Sequence, residues 1–174
     1  MMNSTKHRLL ATLITCTLSY HANATMDESS RFKVAVIKNA PGSKLMTEGK
    51  FERSTEQLLA SISKEPISFE QALGLCVAQL KLGELSLAEA ACTQAIEHHK
   101  TVIGRIRQSN LLKAYAFNNR AIVRYINHDI TGAQHDFSAA LQLTKNDVIL
   151  ANLNLLNKTV AGFNNSDNTV LTTE

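Results

Sequence analysis

The sequence predicts an all-α protein, built of antiparallel helix pairs. Its 174 residues include only two prolines and no tryptophan, while alanine, leucine, glutamine and glutamate, which favour helices, are abundant. A set of small side chains also recurs three times with the same internal spacing, which is typical of repeated helix crossings. The length fits one domain with appendages at its ends.

The first 24 residues have the pattern of a secretory signal peptide. Lys6 and Arg8 give a positive start, residues 9–20 are uncharged and mostly apolar, and the Ala-Asn-Ala of residues 22–24 has the form of a cleavage site. We therefore expect a periplasmic or secreted mature protein. An uncleaved anchor or an organelle transit peptide is the alternative, and the residues before Cys16 only loosely resemble a lipidation site.

Cleavage of this peptide would remove most of the basic excess. It takes Lys6 and Arg8 from the 18 basic residues and none of the 15 acidic ones, so the formal net charge falls from +3 to +1. A nearly neutral chain has little electrostatic attraction for nucleic acid, and we expect no nucleic-acid partner. No later segment reaches the roughly 20 apolar residues of a membrane span, so we expect no stable span.

A pattern of small residues defines three copies of a repeat. In residues 114–147, small side chains stand at Ala121, Ala133 and Ala140, with the ring of Phe137 between the last two. The same four positions hold Cys76, Ala88, Cys92 and Ala95 in residues 69–102, and Gly42, Ser54, Leu58 and Ser61 in residues 35–68. We expect each copy to be two helices whose backbones pass closely at the small positions.

Turns and caps mark the helix ends in each copy. The predicted turns are Gly49-Lys50, Gly83-Glu84 and His128-Asp129, and Pro41-Gly42 shortens the opening helix. The predicted capping boxes are Ser68 with Gln71, Ser86 with Glu89, and Thr131 with Gln134.

A 34-residue helix–turn–helix with these features resembles the tetratricopeptide repeat (TPR). The third copy carries the resemblance best, the second matches it at Gly83, Ala88 and Ala95, and the first is degenerate. Two positions depart from the family: Lys145 replaces the usual proline, and Arg120 stands where a large apolar residue is common. The resemblance covers about two-thirds of the chain. It implies a fold, a short right-handed superhelix of antiparallel helix pairs, rather than a ligand.

The resemblance implies that the first helix of each pair lines a concave groove. The groove residues predicted on this basis are Leu73, Val77, Leu80, Tyr115, Asn118, Ile122 and Tyr125. So apolar a surface indicates an interaction site, with the two tyrosines as anchors. Alternatively the groove is covered by the closing helix, by the strand-like segment "FKVAVI", or by a second copy of the protein.

The remaining segments are an insertion and two ends. The third copy follows the second after 45 residues, whereas the second follows the first after 34, so eleven residues are inserted near 101–111. They are predicted to extend a helical arm in which Ser109 or Asn110 caps the next helix, with an exposed loop as the alternative. Residues 148–163 are expected to form a closing helix that covers the last repeat. Residues 25–34 are predicted to be flexible and residues 164–174 disordered.

Two cysteines remain after cleavage, and the repeat alignment places them opposite each other in one hairpin. In an oxidising compartment Cys76 and Cys92 should form a disulfide, and two buried thiols are the alternative.

Motifs for catalysis and metal binding are absent from the sequence. The adjacent His98 and His99 point about 100° apart on a helix, and Asp129, His135 and Asp136 fall at turn and surface positions. We therefore expect no metal, no cofactor and no enzymatic activity.

Two functional hypotheses follow. The first is an adaptor or scaffold of the cell envelope that binds a protein segment in the groove. The second is a self-associating structural module that buries the groove in a homo-oligomer. A groove specific for acidic C-termini is disfavoured because, although Asn118 and Asn119 suit one, Glu70 and Leu73 stand where basic or amide side chains are needed.

Overall fold

The structure is a computed structural model that describes residues 31–62, 67–99 and 106–169. Four predicted features fall wholly or partly outside these ranges: the signal peptide, residues 25–30 of the flexible segment, residues 100–105 of the arm and residues 170–174 of the tail. Within them the chain forms helices and no strand, which confirms the predicted all-α fold. The helices are α1 (Ser43–Thr47), α2 (Phe51–Ser61), α3 (Phe69–Leu82), α4 (Leu85–His98), α5 (Ile106–Ile126), α6 (Ile130–Leu143) and α7 (Asp147–Thr169).

The helices stack as antiparallel pairs. Each helix packs against the next along the chain, and α3 also contacts α5, so the first helices of successive pairs lie side by side. The pairs are α1 with α2, α3 with α4, and α5 with α6, and α7 closes the stack. Helix α7 continues to Thr169, into residues expected to be disordered. None of the described helices is both long and apolar enough to cross a membrane.

Small side chains stand where the paired helices cross. Ala121, Ala133 and Ala140 have no exposed surface, and Phe137 fills the space beside them with equal burial. Cys76, Ala88, Cys92 and Ala95 are buried to the same extent between α3 and α4. A side chain larger than a methyl or thiol group here would push the backbones apart, so the small-residue pattern reports the packing directly.

In the degenerate first pair, the absence of a side chain at Gly42 allows the same kind of close approach. A Cβ added there would lie 2.6 Å from the hydroxyl oxygen of Ser54, which donates a hydrogen bond to the Gly42 carbonyl at 3.1 Å. Gly42 also has a φ of 73°, a left-handed conformation that suits glycine. The approach and the turn both require glycine, and α1 begins only after it.

The capping predictions are confirmed in one case of three. Ser68 and Gln71 form the predicted box at the start of α3. The prediction was wrong for Ser86 and Thr131, because α4 and α6 begin earlier, at Leu85 and Ile130. For α6 the reason is Asp129, whose carboxylate accepts from the Gly132 N–H at 2.8 Å and starts the helix there.

The prediction that Ser109 or Asn110 caps a helix was also wrong. Helix α5 begins at Ile106, so both residues lie inside it. Ser109 is buried and forms a 2.8 Å hydrogen bond with the His99 ring, which packs edge-on against Phe69. These contacts with α3 and α5 place the ring in the packing rather than on a solvated surface, and burial lowers the pKa of His99.

A disulfide joins the two helices of the second pair. Cys76 on α3 and Cys92 on α4 are bonded, and their Cα atoms are 4.9 Å apart, inside the range that suits such a bond. The two residues occupy the small and the ring positions of one repeat, as the alignment placed them.

A buried ion-pair network fixes α5 to its neighbours, and it corrects the placement of Asp136 on the surface. Asp136 has no exposed surface and accepts two hydrogen bonds from Arg120, at 2.7 and 2.9 Å, and one from Arg124 at 3.0 Å. Arg120 also lies over the Phe117 ring, with its guanidinium carbon 5.5 Å from the ring centre. This explains why an arginine replaces an apolar residue of the TPR pattern.

The same arginines reach back to α4. Arg124 donates to Glu89 at 2.8 Å, and Arg120 donates to the Thr93 hydroxyl at 3.0 Å. Burial would lower the pKa of Arg124, but the hydrogen bond to Glu89 and the charge of Asp136 raise it on balance. The network therefore ties the second helix pair to the third.

Replacing both disulfide cysteines by alanine should lower the free energy of unfolding by about 3 kcal/mol, since the bond closes a 16-residue separation in the unfolded chain. Urea unfolding followed by circular dichroism measures this. A reductant should lower the midpoint of the unchanged protein and leave that of Cys76→Ala/Cys92→Ala where it was. Equal midpoints for the oxidised and reduced protein would contradict the account.

Asp136→Asn should destabilise the fold by about 3 kcal/mol, because Arg120 and Arg124 lose their buried counter-charge. The matched control is Glu56→Gln, which neutralises an exposed carboxylate on α2 and should change stability by less than about 0.5 kcal/mol. The two variants should have unequal urea midpoints. Similar midpoints would mean that the network adds nothing to the stack.

Candidate functional site

The residues predicted to line a groove lie on α3 and α5, and the face that they form is called here the groove. All of them are buried except Tyr115, which is half-buried: Leu73, Val77, Leu80, Tyr115, Asn118, Ile122 and Tyr125. Such burial is unusual for an open concave face. Something in the chain itself covers the groove.

Part of the cover is the segment Phe-Lys-Val-Ala-Val-Ile of residues 32–37, called here the groove segment, and Met46 of α1 packs beside Val77. Of the covers left open by the sequence, the structure places this segment on Asn118 and Asn119, and the closing helix α7 also contacts Asn118 through Asn152. Its first residues fall in the stretch predicted to be flexible, yet Phe32 is only 4% exposed. Local composition predicted flexibility, whereas contacts with distant helices hold the segment in place.

Asn119 on α5 binds the main chain of the groove segment at Ala35. The Ala35 N–H donates to the side-chain oxygen of Asn119 at 2.8 Å, and the Asn119 amide group donates to the Ala35 carbonyl, also at 2.8 Å. A main-chain N–H only donates and a carbonyl only accepts, so this pair of bonds fixes which way the carboxamide faces. Asn119 itself is fully buried.

Asn152 on α7 repeats this arrangement two residues earlier. The Lys33 N–H donates to its side-chain oxygen at 3.0 Å, and its amide group donates to the Lys33 carbonyl at 2.9 Å. Asn118 adds a bond from its amide group to the same carbonyl at 3.2 Å and accepts one from Asn152 at 2.8 Å. The three asparagines form one connected group, called here the asparagine cluster (Asn118, Asn119 and Asn152).

The asparagine cluster acts as a neighbouring β-strand would. In an extended chain the N–H and carbonyl of one residue face the same side, and those of alternate residues face the same way. Lys33 and Ala35 are such alternate residues, and each receives a donor and an acceptor from one carboxamide. The cluster therefore recognises an extended main chain without reading its side chains.

A ring pocket recognises the first side chain of the segment. Phe32 lies with its ring centre 5.0 Å from that of Tyr125, in a tilted contact, and 6.4 Å from that of Phe137, nearly parallel. Aromatic pairs at such separations are favourable beyond the area they bury. Phe137 thus fills the helix crossing on one side and faces the groove on the other.

Along the rest of the segment, side-chain burial is uneven. Val34 and Ile37 are partly buried against the core, while Lys33 is exposed and Val36 is 37% exposed. Turn residues then lead into α1, with a φ of 64° at Asn39. The segment is seated like a bound peptide, with some side chains in the groove and others in solvent.

Sequence reasoning found part of this site. It named Asn118, Asn119 and Tyr125, and it named residues 32–37 as one of several possible covers. It missed Asn152, because nothing in the sequence of a closing helix marks one asparagine as the partner of residue 33. Among the described residues, no group of three or more histidines, cysteines or acids could hold a metal ion.

Comparisons with known proteins bear on the fold. No protein-family model and no curated protein sequence matches the chain. Among solved structures, the second TPR domain of human RPAP3, in complex with the HSP70 peptide SGPTIEEVD, is 25% identical, with a TM-score of 0.55 over 67% of this chain and 88% of that one. The first TPR domain of human RPAP3 is 18% identical, with a TM-score of 0.59 over 72% of this chain and 91% of that one.

Asn119→Asp should release the groove segment. A carboxylate cannot donate a hydrogen bond to the Ala35 carbonyl, and it places an acceptor oxygen opposite that carbonyl oxygen. Amide hydrogen exchange of Lys33 and Ala35, measured by NMR, should accelerate by at least about tenfold. The matched control is Asn154→Asp, an exposed position on the helix that carries Asn152. Unchanged exchange at Ala35 in a folded Asn119→Asp protein would contradict the assignment.

Proposed function

We propose that this chain, which has the fold of TPR domains, is a non-enzymatic interaction module that binds an extended segment of another protein in its concave groove. One observation carries the proposal: the groove already holds an extended segment, and it does so through the main chain. A surface that binds the chain's own residues 33 and 35 by their N–H and carbonyl groups can bind the same groups of a partner.

The energetics of the site suit a reversible interaction. Four hydrogen bonds link Asn119 and Asn152 to the segment, and each adds on the order of 1 kcal/mol net of the water it replaces. Burial of one phenylalanine ring adds about 2–3 kcal/mol. After the entropy of association is subtracted, such contacts suit a weak interaction with a short peptide.

The comparison structures support a peptide as the class of ligand. The second TPR domain of human RPAP3 was solved with a peptide bound. The present chain departs from a groove built for acidic C-termini at Glu70 and Leu73, and Leu73 is buried. The proposed ligand is therefore an internal extended segment held by its main chain.

We further propose that the protein acts in the cell envelope, in the periplasm or after secretion. The leader pattern of residues 1–24 supports this location, as does the Cys76–Cys92 disulfide, since such bonds persist in oxidising compartments. N-terminal sequencing of the mature protein tests it: a chain that begins at Thr25 supports export, and one that retains Met1 in the cytosol overturns it.

The adaptor hypothesis is favoured over the self-associating module for a structural reason. The second hypothesis needs an apolar groove that only another copy can cover. Here the groove segment covers it within one chain, so burial of this face gives no drive to associate.

A synthetic peptide of residues 31–38, Arg-Phe-Lys-Val-Ala-Val-Ile-Lys, should bind in trans once the groove segment is loosened. Lys33→Pro removes the N–H that donates a hydrogen bond to the Asn152 side-chain oxygen, and it alters none of the buried apolar side chains. Fluorescence anisotropy with a labelled peptide should give a saturable dissociation constant on the order of 10–100 µM.

Two controls keep this measurement specific. Lys33→Ala, which retains the N–H, should bind the peptide far more weakly than Lys33→Pro. Adding Asn119→Asp to Lys33→Pro should abolish binding. If a folded Lys33→Pro protein binds no peptide at millimolar concentration, the proposed groove function is wrong.

A further inference from the structure

We infer that the groove selects a partner segment with an aromatic residue first, an apolar residue third and no proline at the second and fourth positions, and that the groove segment competes with that partner in cis. The inference rests on the proposed function. It names the chemistry of the ligand and its regulation, both taken from the way residues 32–35 are held.

The first position requires a ring. Phe32 is 96% buried between Tyr125 and Phe137, and its near-parallel alignment with the Phe137 ring suits a flat side chain. The pocket floor cannot move inward, because Phe137 is fully buried at the crossing of α5 and α6. A smaller side chain would leave a void between the two rings.

The second and fourth positions are read by their main chains. Both N–H groups donate to asparagines, so proline is excluded from both. The exposed side chain of Lys33 leaves the second position otherwise free. At the fourth, two 2.8 Å bonds join the Ala35 main chain to the side chain of Asn119, so this position is also read without its side chain.

The third position is apolar. Val34 is partly buried and packs against both groups of core residues, including Met46 and Val77. The order aromatic, any residue but proline, apolar, any residue but proline therefore describes the ligand class without reference to a particular partner.

The groove segment can leave without unfolding the helices. Its hydrogen bonds run to side chains on α5 and α7, so these helices keep their own main-chain hydrogen bonds when it departs. The cluster asparagines would then be satisfied by a partner or by water. A short turn joins the segment to α1, which corresponds to an effective concentration on the order of millimolar or more.

Competition in cis lowers the apparent affinity for any partner by the fraction of time that the groove is open. A partner must therefore present its segment at high local concentration or with better side chains. The groove segment therefore disfavours ligands that bind weakly or are present at low concentration.

The ligand class is tested with full-length Lys33→Pro and a set of eight-residue peptides. Relative to Arg-Phe-Lys-Val-Ala-Val-Ile-Lys, replacing the peptide's phenylalanine by alanine should weaken binding by at least about tenfold, as should proline for its first lysine. Alanine for that lysine should change binding by no more than about twofold. Equal binding of all four peptides would overturn the selectivity. Phe32→Asp, which empties the ring pocket, is a second open form if Lys33→Pro does not fold.

Competition is tested in the isotope-labelled, unsubstituted protein. A saturating amount of unlabelled peptide should accelerate amide exchange at Lys33 and Ala35 by at least about tenfold, and its dissociation constant should be at least about tenfold weaker than with Lys33→Pro. Helix α6 amides serve as the internal control and should not change.

The outcomes separate this inference from the proposed function. Peptide that binds both proteins equally and leaves Ala35 protected overturns competition, while the groove function stands if binding is lost with Asn119→Asp. Peptide that binds neither open form overturns the proposed function itself. A concentration-dependent dimer held by exchanged groove segments, detected by sedimentation, would make a second copy the partner and overturn the inference of a different protein.

Discussion

Close approach of paired helices is the constraint on which the rest of the structure depends. Ala121 on α5 and Ala133 and Ala140 on α6 bring two backbones together, and Phe137 fills the remaining space. Because successive helical residues point about 100° apart, the same helix α5 presents arginines towards Asp136 and asparagines towards the groove. The crossing thus positions the ring that receives Phe32.

Much of this could be predicted from the sequence, because repeated packing leaves a local signal. The small residues recur at fixed spacing, since each must lie at a crossing, and the alignment of the copies also brought Cys76 and Cys92 together. The groove residues were predicted from the TPR resemblance, and their role in binding stays a prediction. The segment of residues 32–37 was recognised as strand-like, but its place was one of several alternatives.

The rest depends on contacts between residues far apart in the chain. Lys33 and Asn152 are 119 residues apart, and neither position carries a sequence signal of the other. Asp136 was expected on the surface because its repeat position is normally exposed, yet two arginines from α5 bury it. Spacing along one helix predicts which face a residue occupies, whereas a side chain's partner on another helix is set only by the assembled stack.

The central claim is that the groove segment occupies the groove of the same chain, with Phe32 beside Tyr125 and Phe137. Nuclear Overhauser contacts from the Phe32 ring, measured on the oxidised chain, test it most directly. The account predicts contacts to the rings of Tyr125 and Phe137, whose centres lie 5.0 and 6.4 Å away. A Phe32 ring without such contacts, in a chain whose α5 and α6 still pack at Ala121 and Ala133, would contradict it.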